Sequence, residues 1–172
     1  MRHSICVAAV LASGILLVSC SDTPQTAPVS SYLMGEKVHL GKLSYTVFET
    51  QWLTHLGEGA SARTPQNRFF LVRFSATNSA SEDATILNFT VTDDKGKVYE
   101  ELSNGEGVPQ WAGYLRVAKP ADTIQGNVVF DAPAAHYKLK ITDDTGSRVA
   151  LIDLPLTFTN ETPEVVPPQG KK

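Results

Sequence analysis

The sequence predicts an all-β chain, an antiparallel β-sandwich of about eight strands, and three observations carry that expectation. Between residues 35 and 158 apolar side chains recur with period two almost everywhere, as strands buried on one face require. Helical periodicity is weak, and Gly, Pro, Asn and Asp interrupt the chain too often to leave room for long helices. The alternating segments are short and regularly spaced, which suits a sandwich; a small closed barrel is the alternative architecture.

Val38 and Leu40 alternate before a turn at Gly41-Lys42, after which Leu43, Tyr45 and Val47 open a strand that runs on through Trp52, a residue expected in the core. Phe70, Val72, Phe74 and Ala76 share one face, with Arg73, Ser75 and Thr77 on the other. Leu87, Phe89 and Val91 oppose Asn88, Thr90 and Thr92 in a single strand, followed by shorter candidates at 97–101 and 113–117. Ile124, Gly126, Val128 and Phe130 form another set, Tyr137, Leu139 and Ile141 the next, and 148–154 the last. Short connections imply antiparallel pairing of consecutive strands. Two of these connections echo each other, Asp93-Asp94-Lys95-Gly96 and Asp143-Asp144-Thr145-Gly146, with Asp for the turn geometry and Gly for positive φ.

The ends differ from the middle. Met1-Arg2-His3 precedes an apolar run at 5–18 that is shorter than the ~20 residues of a spanning helix, so residues 1–19 are expected to be a signal peptide. Leu17-Val18-Ser19-Cys20 resembles the lipobox of bacterial lipoproteins. That resemblance implies cleavage between Ser19 and Cys20, a diacylglycerol on the Cys20 thiol, and Cys20 as the new amino terminus. Each buried acyl methylene contributes about 0.8 kcal/mol of membrane affinity, so several chains anchor firmly. Residues 20–34 are then the lipidated cysteine and a flexible polar tether holding Pro24 and Pro28, and 159–172, with Pro163, Pro167 and Pro168, is expected to be a disordered tail.

Composition narrows the function. Lys and Arg number 15 against 18 Asp and Glu, a net charge of −3 with His neutral, and no basic run exceeds two residues, so nucleic acid is not an expected partner. Cys6 lies in the leader; Cys20 alone cannot make an intramolecular disulfide, and the core must hold the domain unaided. His39, His55 and His136 are scattered, and the Asp-Asp-x-Gly turns lack the alternating acidic pattern of an EF-hand, so neither a metal nor a cofactor is expected. No Gly-x-Ser-x-Gly elbow, Ser-x-x-Lys pair or His-Glu-x-x-His helix is present, and the chain is not expected to be an enzyme. The alternative is an envelope hydrolase or accessory enzyme whose residues meet only in space.

Two loops are candidate surfaces. The stretch 103–114 carries Gln110, Trp111 and Tyr114; its two aromatic side chains offer large contact area at low entropic cost to a partner protein or glycan, although Trp111 also suits a plug at the sandwich end. The stretch 56–67 is the second, since loops on a rigid scaffold commonly carry recognition.

Taken together, Gly35 to Val47, the strand ending at Asn78, the strand leading into Asp93-Asp94-Lys95-Gly96, and Gly126-Asn127-Val128-Val129-Phe130 resemble the bacterial telokin-like, immunoglobulin-like lipoprotein domain of unknown function. The resemblance spans roughly residues 35–156; where that family places Gly before its Gly-containing strand, this chain has Lys119-Pro120-Ala121-Asp122. It implies an immunoglobulin-like sandwich at the cell envelope and no reaction. The expectation is a non-enzymatic lipoprotein, tied to a lipid bilayer through Cys20, that serves as a structural module or as a binding module for an envelope protein or cell-wall partner. Ser21 rather than Asp follows Cys20, which by resemblance favours the periplasmic side of the outer membrane in a host with two membranes.

Overall fold

Alternation of apolar and polar side chains becomes two packed sheets in the computed structural model, which describes residues 29–157. Ser19, Cys20, the rest of the expected leader and the 159–172 tail lie outside the described residues. A five-stranded sheet has the order β1 (Ser30–Leu33), β11 (Val149–Leu154), β10 (Tyr137–Thr142), β6 (Thr90–Asp93), β7 (Val98–Glu100). Facing it, a four-stranded sheet runs β2 (Lys37–Leu40), β3 (Leu43–Leu53), β4 (Phe69–Asn78), β9 (Thr123–Asp131). β5 (Ala84–Ile86) and β8 (Arg116–Ala118) pair as a small third sheet. The only helical element among the described residues is a 3-10 turn at Gly59–Ser61.

The core lies between the two main sheets. Tyr45, Val47, Phe70, Val72, Phe74, Val128 and Phe130 from one side meet Val91, Tyr137, Leu139, Ile141, Ile152 and Leu154 from the other, all buried. Trp52 joins from the rim: its ring stacks on Phe70 with centroids 4.2 Å apart, packs against the core and stays half-buried. The Tyr45 hydroxyl donates to the Thr142 carbonyl at 2.9 Å, tying sheet to sheet, and burial raises its pKa.

Three expectations need correction. The tether stops short of residue 34, because Ser30–Leu33 is strand β1, which runs parallel to β11 with Tyr32 opposite Ile152 and packed on the core. Gly35, at φ +93°, donates its N–H to the Val47 carbonyl and turns the chain from one sheet to the other. β1 and β11, the first and last strands, form the one parallel strand pair among the described residues. The strand expected to hold Leu87, Phe89 and Val91 is broken: β5 ends at Ile86 and β6 begins at Thr90, with Leu87 36% exposed and Phe89 buried. The 113–117 candidate begins only at Arg116 and runs to Ala118, with the charged side chain inward: Arg116 is 2% exposed, while Leu115 is 91% and Val117 54% exposed.

One ion pair explains the last two. Arg116 forks onto Glu101, Nη1 to Oε1 at 2.6 Å and Nη2 to Oε2 at 2.9 Å, with both side chains buried. Where the strand breaks, Glu101 Oε2 accepts the Phe89 N–H at 3.0 Å. Arg116 Nη1 donates to the Gly113 carbonyl at 3.0 Å, and the guanidinium lies over the Phe89 ring, 4.9 Å from its centroid, and the Phe74 ring. The pair thus replaces the ladder partners that a continuous strand would have supplied, which buried backbone groups require.

Removing one partner strands the other charge in a dry site, which costs roughly 3–5 kcal/mol, whereas replacing both with apolar groups of similar volume is often nearly neutral. Glu101→Leu or Arg116→Met alone is therefore expected to lower the melting temperature by about 10 °C or more. The double variant should recover most of that loss in the same calorimetric measurement; an additive double variant contradicts a direct pair.

Candidate binding surface

The outer face of the four-stranded sheet is not bare. Phe69 and Leu71 of β4 and Val129 of β9 point outward and form a second, smaller core with Leu56 and Val108, flanked by Leu53 and Leu102. Leu56 belongs to one candidate loop and Val108 to the other, so both stretches singled out in the sequence fold over the same sheet face.

Polar contacts fasten the two loops together. Leu56 and Arg63 exchange backbone hydrogen bonds at 3.0 and 2.8 Å, closing the first loop on itself. Arg63 Nη1 then donates to the carbonyls of Asn104 and Glu106 in the second loop, at 3.1 and 2.7 Å. Gly107, at φ +76°, lies so close to Leu56 and Gly57 that a Cβ there would meet the Gly57 nitrogen at 2.7 Å.

The second loop also closes the free edge of β9. Leu102 donates to the Val129 carbonyl at 2.8 Å, the chain leaves the sheet, and it returns where Asn127 N–H donates to Gln110 at 2.9 Å and Ala112 N–H to Asn127 at 3.0 Å. Asn127 Nδ2 adds a bond to the Pro109 carbonyl at 2.7 Å. Gln110 sits in the left-handed region at φ +46°, uncommon for a residue with a Cβ. Gly126 permits the approach, since a Cβ there would stand 2.5 Å from the Gln110 carbonyl oxygen. Edge strands invite non-specific pairing, and this loop occupies the edge.

Of the expected partner-binding residues, the structure brings Gln110 and Trp111 together beside Asn127, where Trp111 makes an isolated bridge. The Trp111 indole lies on Gly105, leaving the residue 37% exposed. It packs on its own loop, and is not a plug of the main core. Tyr114 is half-buried in the link to β8, and no ring contact joins it to Trp111 among the described residues. Under Gln110 lies a recess of about 180 Å³. A larger hollow of about 420 Å³ lies on the other sheet beside β1, where Leu33 and Leu151 meet Glu36, Lys138 and Asp153.

Near that hollow is a cluster that the sequence did not disclose. His136 lies between two carboxylates, Nδ1 2.8 Å from Asp94 and Nε2 2.8 Å from Asp153. Those contacts, Asp94 first and Asp153 second, raise its pKa above 6.5 against a small opposing effect of burial. Both ring nitrogens are engaged by carboxylates, so the ring, when protonated, is an ionic link between the β6–β7 turn and β11. The aspartates of the two echoed turns are likewise occupied. Asp93 Oδ1 accepts the N–H groups of Lys95 and Lys97, and Asp143 Oδ1 those of Ser147 and Arg148. Burial pushes the Asp143 carboxyl up, but the bonds from Arg148, Thr145 and Ser147 outweigh it and hold the group below its ordinary value. Among the described residues no three His, Asp or Glu side chains converge to hold a metal ion.

Comparison with known proteins places this geometry in context. A family described as "Domain of unknown function (DUF4352)" matches residues 32–150, from β1 into β11. No curated protein matches. Among solved structures, the secreted protein MPT63 of Mycobacterium tuberculosis aligns over 74% of this chain and 99% of its own, at 14% identity and a TM-score of 0.57. The yjhA protein of Bacillus subtilis aligns over 72% and 98%, at 13% identity and 0.54. The candidate lipoprotein ycdA of the same species aligns over 70% of this chain but 38% of its own, at 9% identity and 0.53. The likeness is one of fold, an all-β sandwich of the MPT63 kind.

Two predictions arise here. A Cβ on Gly105 would collide with the Trp111 ring, so Gly105→Ala must displace the indole. The Trp111 indole N–H resonance should shift while those of the main core stay in place, and stability should fall by about 1–3 kcal/mol. The second concerns pH. Because the folded pKa of His136 is raised, its contribution to stability is complete below the ordinary value of 6.5 and is lost as pH rises through the elevated one. Melting curves across that range should show the parent's advantage over His136→Gln shrinking as pH increases; an advantage independent of pH contradicts the ionic link.

Proposed function

The chain belongs to the DUF4352 family, a domain of unknown function, and we propose that it is a non-enzymatic, extracytoplasmic binding module held to a membrane through an acylated Cys20. The observation that carries the binding role is the fastening of the 56–63 and 103–112 loops into one continuous surface over an outward sheet face. A surface ordered before its partner arrives loses little entropy on binding, which is the condition for a recognition site on a rigid scaffold. Gln110 and Trp111 are its exposed contact groups, with Tyr114 at its border, and an envelope protein or cell-wall component is its partner.

The anchor is supported by the lipobox-like Leu17-Val18-Ser19-Cys20, and the location by the likeness of fold to a secreted protein and to a candidate lipoprotein. In a two-membrane host the domain faces the periplasm from the outer membrane. Both His136 ring nitrogens are engaged, by Asp94 and Asp153, which supports a structural role for this histidine.

Mass spectrometry of the mature protein should find an amino-terminal Cys20 carrying acyl chains; an uncut leader or an unmodified Cys20 overturns the anchor. Affinity capture from native envelopes should lose partners on Trp111→Ala, and a variant that retains every partner of the parent removes the loop surface from the proposal.

A further inference from the structure

We infer that the recess under Gln110 is a subsite for one unit of a neutral sugar, an assignment that rests on the reading of this face as a binding surface. Five polar side chains converge there: Glu49 and Gln51 of β3, Arg73 of β4, Asn127 of β9, and Gln110 from the loop above. Leu71 forms an apolar floor and Pro109 part of the roof.

Two departures from regular backbone meet at this one place. A β-bulge between Val47 and Glu49 inserts Phe48 into β3 and changes the phase of the strand. Val47 is buried, and without the extra residue Glu49 would point inward too; with it, Glu49 stands opposite Arg73 on the outer face. Bulges re-aim side chains in this way beside functional sites. The second departure is Gln110 at φ +46°, held by the Asn127 N–H, the Asn127 amide on Pro109, and the close approach of Gly126. Strained residues persist only where the surroundings over-determine them, and they gather at ligand sites.

The chemistry of the lining selects the ligand. Glu49, Arg73 and Asn127 lie in one cross-strand row, Glu49 opposite Arg73 and Arg73 opposite Asn127. Among the described residues no hydrogen bond or ion pair engages the side chains of Glu49, Gln51, Arg73 or Gln110, so their donors and acceptors are available to a ligand. One acid beside one base leaves little net charge at the recess, which disfavours an anion or a cation. A guanidinium fork donates to two adjacent oxygens, a carboxylate accepts from two adjacent hydroxyls, the Gln51 and Gln110 amides can do either, and Asn127, with Nδ2 on the Pro109 carbonyl, offers Oδ1 as an acceptor. Vicinal hydroxyls of a pyranose satisfy all of these at once. A recess of about 180 Å³ is smaller than the roughly 300–1,000 Å³ of drug-sized sites, which suits one ring rather than a chain.

The test uses the full-length protein purified from membranes, with N-acetyl-D-glucosamine, D-glucose and D-galactose as probes and glycine and L-alanine as zwitterionic counterparts. The side-chain amide resonances of Gln51, Gln110 and Asn127 report the recess. At least one sugar, at tens of millimolar, should shift all three saturably. Arg73→Gln and Glu49→Gln, both outward-facing, should weaken that binding about tenfold each, as loss of a charge-assisted hydrogen bond implies, while leaving the melting temperature unchanged. The inference is overturned if no sugar shifts these resonances, if the amino acids do so instead, or if sugar binding survives both substitutions. Should sugars fail while Trp111→Ala still strips partners in envelope capture, the ligand class is wrong and the binding surface stands. Failure of both removes the surface as well.

Discussion

The Glu101–Arg116 pair is the constraint on which the rest of the molecule is arranged. A sandwich of alternating strands has no place for a buried guanidinium unless a carboxylate meets it and every nearby backbone group finds a partner. Here Glu101 takes the Arg116 fork and the Phe89 N–H, and Phe74 and Phe89 supply faces for the cation. In exchange the strand that would have run from residue 84 to 93 is broken, and β5 and β8 separate as a small sheet of their own. Immediately after Glu101 the chain reaches the edge of β9, and before Arg116 it leaves that edge, so the pair fixes both feet of the loop that carries Gln110 and Trp111.

From those two fixed points the outer surface follows. The loop covers the exposed edge of β9, Val108 seals the outward apolar side chains Phe69, Leu71 and Val129, and Arg63 draws the neighbouring loop against it. What remains open beneath Gln110 is lined by polar groups from three adjacent strands. Strain at Gln110 and the bulge at Phe48 are local costs that the surrounding hydrogen bonds and packing offset, and both serve the same recess.

Much of this fold is legible in the residues because it obeys a period of two. Phe70, Val72, Phe74 and Ala76 are inside and Arg73, Ser75 and Thr77 are outside or half-buried, as alternation requires. The Asp93 and Asp143 turns are also where their chemistry puts them, each aspartate bonded to N–H groups of its own turn. Alternation fails at Leu115-Arg116-Val117, since a polarity rule assigns Leu115 and Val117 to the core and Arg116 to solvent. Only the distant Glu101, 15 residues earlier, reverses that assignment, and no local signal ties the two. β1 was hidden for a related reason: Ser30 and Ser31 read as tether, and the single inward Tyr32 gains its burial from β11 at the far end of the chain. The two candidate loops were visible as sequence, because glycine and aromatic residues cluster there. Their union was not, because it depends on Arg63 reaching carbonyls more than 40 residues away.

Native-state hydrogen exchange addresses the organisation of this region most directly. If the buried ion pair and the edge contacts hold the loop as described, the amides of Phe89, Leu102, Ala112 and Asn127 exchange as slowly as those of the β4–β9 ladder. Exchange of these four amides at the rate of exposed turns, with the ladder still protected, would contradict the account.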